Sequence, residues 1–154
     1  MSSYKRLLLS CLLVGIGGCS FAGYAQDNWA VLSDGEAMAV LKQCSRSAPD
    51  SVTGTWRIPP ETIAKMESDL AKLPSQASGI EHITAFERQY TGLVLRGGRH
   101  VIYINAFPSH AGGTGRDSWR EKAVVVCDGG PAFWGAVYDT QTRQFSQFAF
   151  NGPA

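Results

Sequence analysis

The chain has 154 residues, of which 14 are Lys or Arg and 13 are Asp or Glu, with 44% hydrophobic residues and four cysteines. That balance lacks the basic footprint of a nucleic-acid binder, and the length suits one domain around one core. Four Trp and seven Phe supply the apolar bulk for it.

Lys5 and Arg6 precede an apolar run, Leu7 to Ile16, interrupted only by Ser10, Cys11 and Gly15. A charged start, an apolar middle and a small-residue cleavage site make a bacterial-type secretory signal. The run is too short for a spanning helix, which takes roughly 20 residues. Two cleavage points are readable. Ile16-Gly17-Gly18-Cys19 resembles the lipobox of bacterial lipoproteins, making residues 1–18 the signal and Cys19 the lipidated residue. Gly23 and Ala25 offer ordinary cleavage after Ala25, making it residues 1–25. Either way residues 26–154 form a single domain whose fold begins near Trp29. Losing Lys5 and Arg6 and no acid leaves twelve basic and thirteen acidic residues.

Of the four cysteines, Cys11 lies in the signal and Cys19 is lipidated or removed. Cys44 and Cys127 are left in an oxidising compartment, where a disulfide between them is expected.

Ser33-Asp34-Gly35-Glu36 has the form of a capping box, with Glu36 reaching back to Ser33. Ala37, Val40, Leu41 and Cys44 follow at helical spacing, which sets Cys44 on the buried stripe of a first helix. Ser45 to Thr55 reads as loop. Pro59-Pro60-Glu61 opens a second helix, with Ile63, Met66, Leu70 and Leu73 as its stripe and Pro74 as its stop. Ile80 to Glu87 fits either a short helical turn or an extended lead-in. From Tyr90 the period becomes two: Tyr90 to Arg96 and Arg99 to Phe107 flank Gly97-Gly98, read as a two-residue hairpin loop. That register sets Leu93, Leu95, Ile102 and Ile104 on one face, against the helices. Tyr90, Val94, Val101, Tyr103 and Asn105 fall on the other, with Gly92 opposite Tyr103. Lys122 to Cys127, Ala132 to Tyr138 and Gln144 to Phe150 read as three more strands. The expected fold is α+β, two N-terminal helices packed on a five-stranded antiparallel meander sheet.

Arg88-Gln89-Tyr90, the run Ile102 to Phe107, Val126-Cys127-Asp128-Gly129-Gly130, Phe133-Trp134-Gly135 and Phe150-Asn151-Gly152 together resemble a family of small exported proteins of Gram-negative bacteria. Leu41-x-x-Cys44-Ser45-Arg46 and Gly54-x-Trp56 extend the resemblance over most of the mature chain. It implies compartment and domain extent and carries no activity.

Ala111 to Arg116 is glycine-rich but lacks the Gly-Lys-Ser/Thr ending and the following helix of a phosphate loop. His82, His100 and His110 have no metal-ligand spacing to one another. Ser109, His110 and Asp117 imitate a hydrolytic set without the elbow that would hold the serine. Asp128 and Asp139 read as turn formers. No catalytic residue, metal ligand or cofactor is assigned. The candidate binding face is Tyr90, Tyr103 and Asn105, aromatic rings with polar tips of the kind interfaces favour, with Trp134 or Tyr138 from a neighbouring strand as extensions. The expectation is a periplasmic or outer-membrane-anchored protein, a non-catalytic binding or inhibitory module with another envelope protein as partner. It binds no nucleic acid and meets the membrane only through a lipid anchor. A cell-envelope hydrolase and a structural accessory of an envelope complex are the alternatives.

Overall fold

A hairpin forms the middle of the sheet. In the computed structural model, which describes residues 28–75, 80, 83–109, 111 and 118–152, β3 (Glu87–Leu95) and β4 (Arg99–Phe107) pair over their whole lengths. The loop between them holds three residues, because Leu95 pairs with Arg99. Gly97 and Gly98 both take positive φ, 86° and 79°, and the Arg96 amide leaves the ladder to bond the Ser51 carbonyl at 2.9 Å. This is one residue away from the two-residue loop expected above. Thr91, not Gly92, opposes Tyr103, and Gly92 opposes Ile102.

The slip re-sorts the faces, since residues alternate sides along a strand. Tyr90, Ile102 and Ile104 share one side, and Leu93, Leu95, Val101 and Tyr103 share the other. Both sides are covered. α2 (Pro60–Asp69), opened by Pro59 and Pro60, lays Ile63 and Met66 on the first. The 3₁₀ turn that prolongs it adds Leu70 and Leu73, against Ile102, Ile104, Trp134 and Tyr138. α1 (Asp34–Val40) lays Val40 on the second, and Leu41 just beyond its end joins it there. The expected fold thus needs correction: the helices lie on opposite faces of the sheet, not together on one.

The sheet itself is mixed and six-stranded. β4 pairs with β5 (Trp134–Asp139) and β5 with β6 (Gln144–Phe150), all antiparallel. Two short strands complete it. β1 (Trp29–Val31) runs parallel to β3, and β2 (Val52–Thr55), within the stretch read as loop, runs antiparallel to it. They share one edge of β3, end to end, and meet near Gly92. A Cβ there would lie 2.2 Å from the Trp56 carbonyl oxygen, so only glycine lets this segment close.

Lys122 to Cys127 is not a strand. It is an irregular strap over the α1 side of the sheet, where Val124 packs near Phe107, Trp119 and Ala30. Ser33 stands at the N-cap of α1 but its side chain makes no capping bond. Glu36 turns to the strap instead, accepting the Ala123 amide at 2.8 Å and pairing with Lys122 at 3.1 Å. Of the stretch read as either a helical turn or an extended lead-in, Ile83–Ala85 is a 3₁₀ turn that leads into β3.

Cys44 and Cys127 form the expected disulfide, 83 residues apart. Both are exposed. Cys44 lies beyond the end of α1, not on its buried stripe, so the bond ties the segment after α1 to the end of the strap.

Candidate functional site

Side-chain amides on the α1 face replace the missing strand partner of the strap. Gln89 donates through Nε2 to the carbonyls of Trp119 and Lys122, and its Oε1 accepts the Val124 amide at 2.9 Å. Asn105 Nδ2 donates to Gln89 Oε1 at 3.1 Å and to the Val124 carbonyl at 2.9 Å. Gln43, just after α1, donates to that same carbonyl at 2.9 Å and accepts the Val126 amide at 3.2 Å. Asn151 donates to the carbonyls of Val126 and Asp128. All four side chains belong to buried residues. Buried polar groups hold when their partners are complete, and these amides complete the strap.

Two members of the cluster keep buried atoms without a partner, Asn151 at Oδ1 and Arg46 at Nε and Nη1. Arg46 is 6% exposed. Its Nη2 donates to Asn105 Oδ1 at 2.6 Å, while Nε and Nη1 are out of solvent with no hydrogen-bond partner. The guanidinium rests on the bare backbone of Gly135, where a Cβ would come within 1.8 Å of Nη1. Burial lowers the Arg46 pKa from its ordinary value and raises that of the neighbouring Tyr103 phenol. A guanidinium stays charged in proteins, and a buried cation without a counter-charge is costly.

Arg46 lines a cavity of about 460 Å³ between Ser45–Asp50 and the edge strand β6. Ser45, Ser47, Asp50, Gln147 and Phe148 share that lining. At Gln147 the backbone takes φ 51°, and the β5–β6 ladder shifts register between Gly135 and Val137. A second cavity, about 420 Å³, opens where β1 and the segment after β2 meet, between Val31, Ala37, Trp56 and Gly92.

No protein-family model, no curated protein and no solved structure matches the chain.

The expected binding face does not form. Tyr90 lies under α2, Tyr103 and Asn105 lie on the opposite side of the sheet, and all three are buried. The Tyr90 hydroxyl donates to Glu67 and accepts from Arg88 Nε at 2.7 Å, and burial pushes its pKa well above the ordinary phenol value. Trp134 and Tyr138, offered as extensions, are buried with Tyr90. Tyr138 donates to Asp69 at 2.7 Å, and Arg143 grips the same carboxylate with two bonds of 2.9 Å. These two clusters fasten α2 to the sheet.

Other sequence-marked residues fall as follows. His100 is exposed and stacked on Trp56, with ring centroids 4.6 Å apart. Asp139 caps the β5–β6 turn, accepting the amides of Gln141 and Thr142 at 2.9 Å. Asp128 is exposed, its carbonyl held by Asn151. Cys19, His82, His110, Asp117 and Gly112 to Arg116 lie outside the described residues. Among the described residues no group of three His, Cys, Asp or Glu side chains gathers as a metal would require. None of their helices is long and apolar enough to cross a membrane.

Sequence reasoning missed Arg46 because it stands in a polar, proline-containing stretch that reads as solvated loop. Only its position two residues after Cys44 hints that it is tethered to the body of the fold.

Proposed function

We propose that the protein is exported and works outside the cytoplasm as a non-catalytic binding or inhibitory module whose partner is another envelope protein. It is either free in the periplasm or held to a membrane by lipid at Cys19, and it belongs with the small exported proteins it resembles. The charged and apolar segments before Trp29 support export. The Cys44–Cys127 disulfide suits a compartment where thiols oxidise.

Arg46 carries the binding half of the reading. A charged guanidinium, with Nε and Nη1 unanswered by the chain, beside a cavity, is suited to recognising an anionic group. It is ill suited to moving protons, because it does not titrate near neutral pH.

The test is capture from envelope extract by the purified protein and by an Arg46→Gln variant checked for native circular dichroism. A protein retained by the first and lost by the second is the expected outcome. Equal retention by both removes the cavity from the proposal. In the producing cells, labelled palmitate should enter the protein and fail to enter Cys19→Ser. A mature N-terminus at Gln26 without lipid assigns the free periplasmic form.

A further inference from the structure

From Ala123 to Asp128 the strap meets the body of the fold through side chains. Its Ala123, Val124 and Val126 amides donate to Glu36, Gln89 and Gln43. Its Val124, Val126 and Asp128 carbonyls accept from Gln43, Asn105 and Asn151. Two of these anchors, Glu36 and Gln43, come from α1 and the residues just after it, so the strap and α1 hold each other. A helix of seven residues is too short to persist without such packing. One covalent bond joins the pair. Cys44 adjoins Gln43, and its partner Cys127 adjoins Val126, whose amide Gln43 accepts at 3.2 Å. Both cysteines are exposed, and neither lies in a helix or a strand.

We infer that the Cys44–Cys127 bond is a redox latch: a dithiol opens it in the folded molecule, and opening it releases the strap and α1 while the rest of the fold stays closed. The inference does not depend on the binding-module reading. Exchange requires a thiolate to reach a disulfide sulfur. A buried bond waits for unfolding, whereas an exposed one reacts as it stands, and exposed disulfides are the labile ones. The attacking thiolate forms a mixed disulfide with one cysteine sulfur, and the other sulfur leaves as a thiolate and takes a proton. The second thiol of the dithiol then closes on the first and displaces the remaining cysteine. The dithiol departs as a disulfide, and Cys44 and Cys127 keep its two electrons and two protons as thiols. The α2 face has fastenings of its own that the bond does not touch. Ile63, Met66, Leu70 and Leu73 pack on it, and Arg88–Glu67 and Arg143–Asp69 pair there. The strap, once untethered, keeps hydrogen bonds whose groups water can satisfy equally. Lifting Val124 opens the apolar cluster it forms with Ala30, Phe107 and Trp119.

The experiment treats the purified exported protein, disulfide intact, with dithiothreitol and counts free thiols over time by alkylation and mass spectrometry. It is repeated at urea concentrations below the unfolding transition. The expected rate is proportional to dithiothreitol and nearly flat in urea. A rate that climbs with urea as the global unfolding equilibrium does would place the opening in the unfolded chain and overturn the inference. Hydrogen exchange is then read on the reduced protein. The amides of Val124 and Val126 should accelerate by about tenfold or more beyond any change in those of β4 and α2, and reoxidation should reverse this. The variant Cys44→Ser, Cys127→Ser, with no reductant present, should show the same pattern. Val124 and Val126 amides unchanged by reduction would overturn the latch. So would strap, α2 and β4 amides that accelerate alike in the reduced protein and in the variant, since the bond would then hold the whole fold.

Discussion

Asp69 shows how one side chain can join a helix to a sheet. It ends α2, is buried, and takes Tyr138, both Arg143 bonds and Lys72 at 2.7 Å. The Arg143 fork, aided by Lys72 and Tyr138, holds its carboxyl far below the ordinary carboxylate range against the opposing effect of burial. The unfolded chain therefore takes up the proton more readily than the folded one. The stabilisation is complete above the unfolded value, about 3.9, and is lost as pH falls below it toward the native value. Asp69→Asn should lose about 1–3 kcal/mol at neutral pH. Its melting temperature should also fall less steeply than the wild type's between about pH 5 and pH 2. Parallel melting curves for the two proteins over that range would contradict the account. Neither Asp69 nor Arg46 stood out in the sequence. Asp69 sits on a helix where acids are ordinary, and Arg46 is buried only because Gly135, far along the chain, leaves room for it. The cysteine pair was legible, because the expected export signal accounts for Cys11 and Cys19 and leaves two thiols to pair.

At the scale of elements, the sequence told most where local chemistry decides. Pro59-Pro60 opens α2, the stripe Ile63, Met66, Leu70 and Leu73 is buried as spaced, and β4 and β6 run as read. It told least where a neighbour decides. β1 and β2 are three and four residues long, too short for a period to show, and they exist because β3 offers them an edge. The hairpin slipped by one residue because two adjacent glycines serve a three-residue loop as readily as a two-residue one. That slip alone separated Tyr90 from Tyr103 and dissolved the expected face. The strap alternates like a strand, but its partners are amide side chains, which no periodicity reveals. Gln89→Leu would keep the volume, strand the Val124 amide and the carbonyls of Trp119 and Lys122, and take from Asn105 Nδ2 one of its two acceptors. The expected loss is about 3 kcal/mol or more, since each buried unpaired group costs about 1–3 kcal/mol. Hydrogen exchange at the Val124 amide should accelerate well beyond that of the β4 amides. An unchanged Val124 amide would mean that the strap is held by packing alone.

At the scale of the whole molecule, one sheet is covered on both sides by short pieces. α2 and its 3₁₀ turn lie on one face, and α1, the loop after it and the strap lie on the other. The second cover is the weaker, since α1 has only seven residues, and there the disulfide acts. Closing a loop of 83 residues stabilises by on the order of 4 kcal/mol in the chain-entropy model, a large share of the 5–15 kcal/mol typical of such domains. The double variant Cys44→Ser, Cys127→Ser should therefore melt many degrees lower, with hydrogen exchange rising first in residues 119–128 and in α1 while α2 keeps its protection. Uniform loss across both faces would show that the two covers unfold as one.

The same bond has a topological consequence. β2, α2, β3, β4 and the strap all lie between the two cysteines. A single cut of the backbone anywhere in that span leaves both fragments covalently joined. A protease acting once there produces a nicked molecule of unchanged mass on a non-reducing gel, apart from one added water, and two pieces only after reduction. Clipping and dissociation are thus separate events for this chain, and the second waits for a reductant.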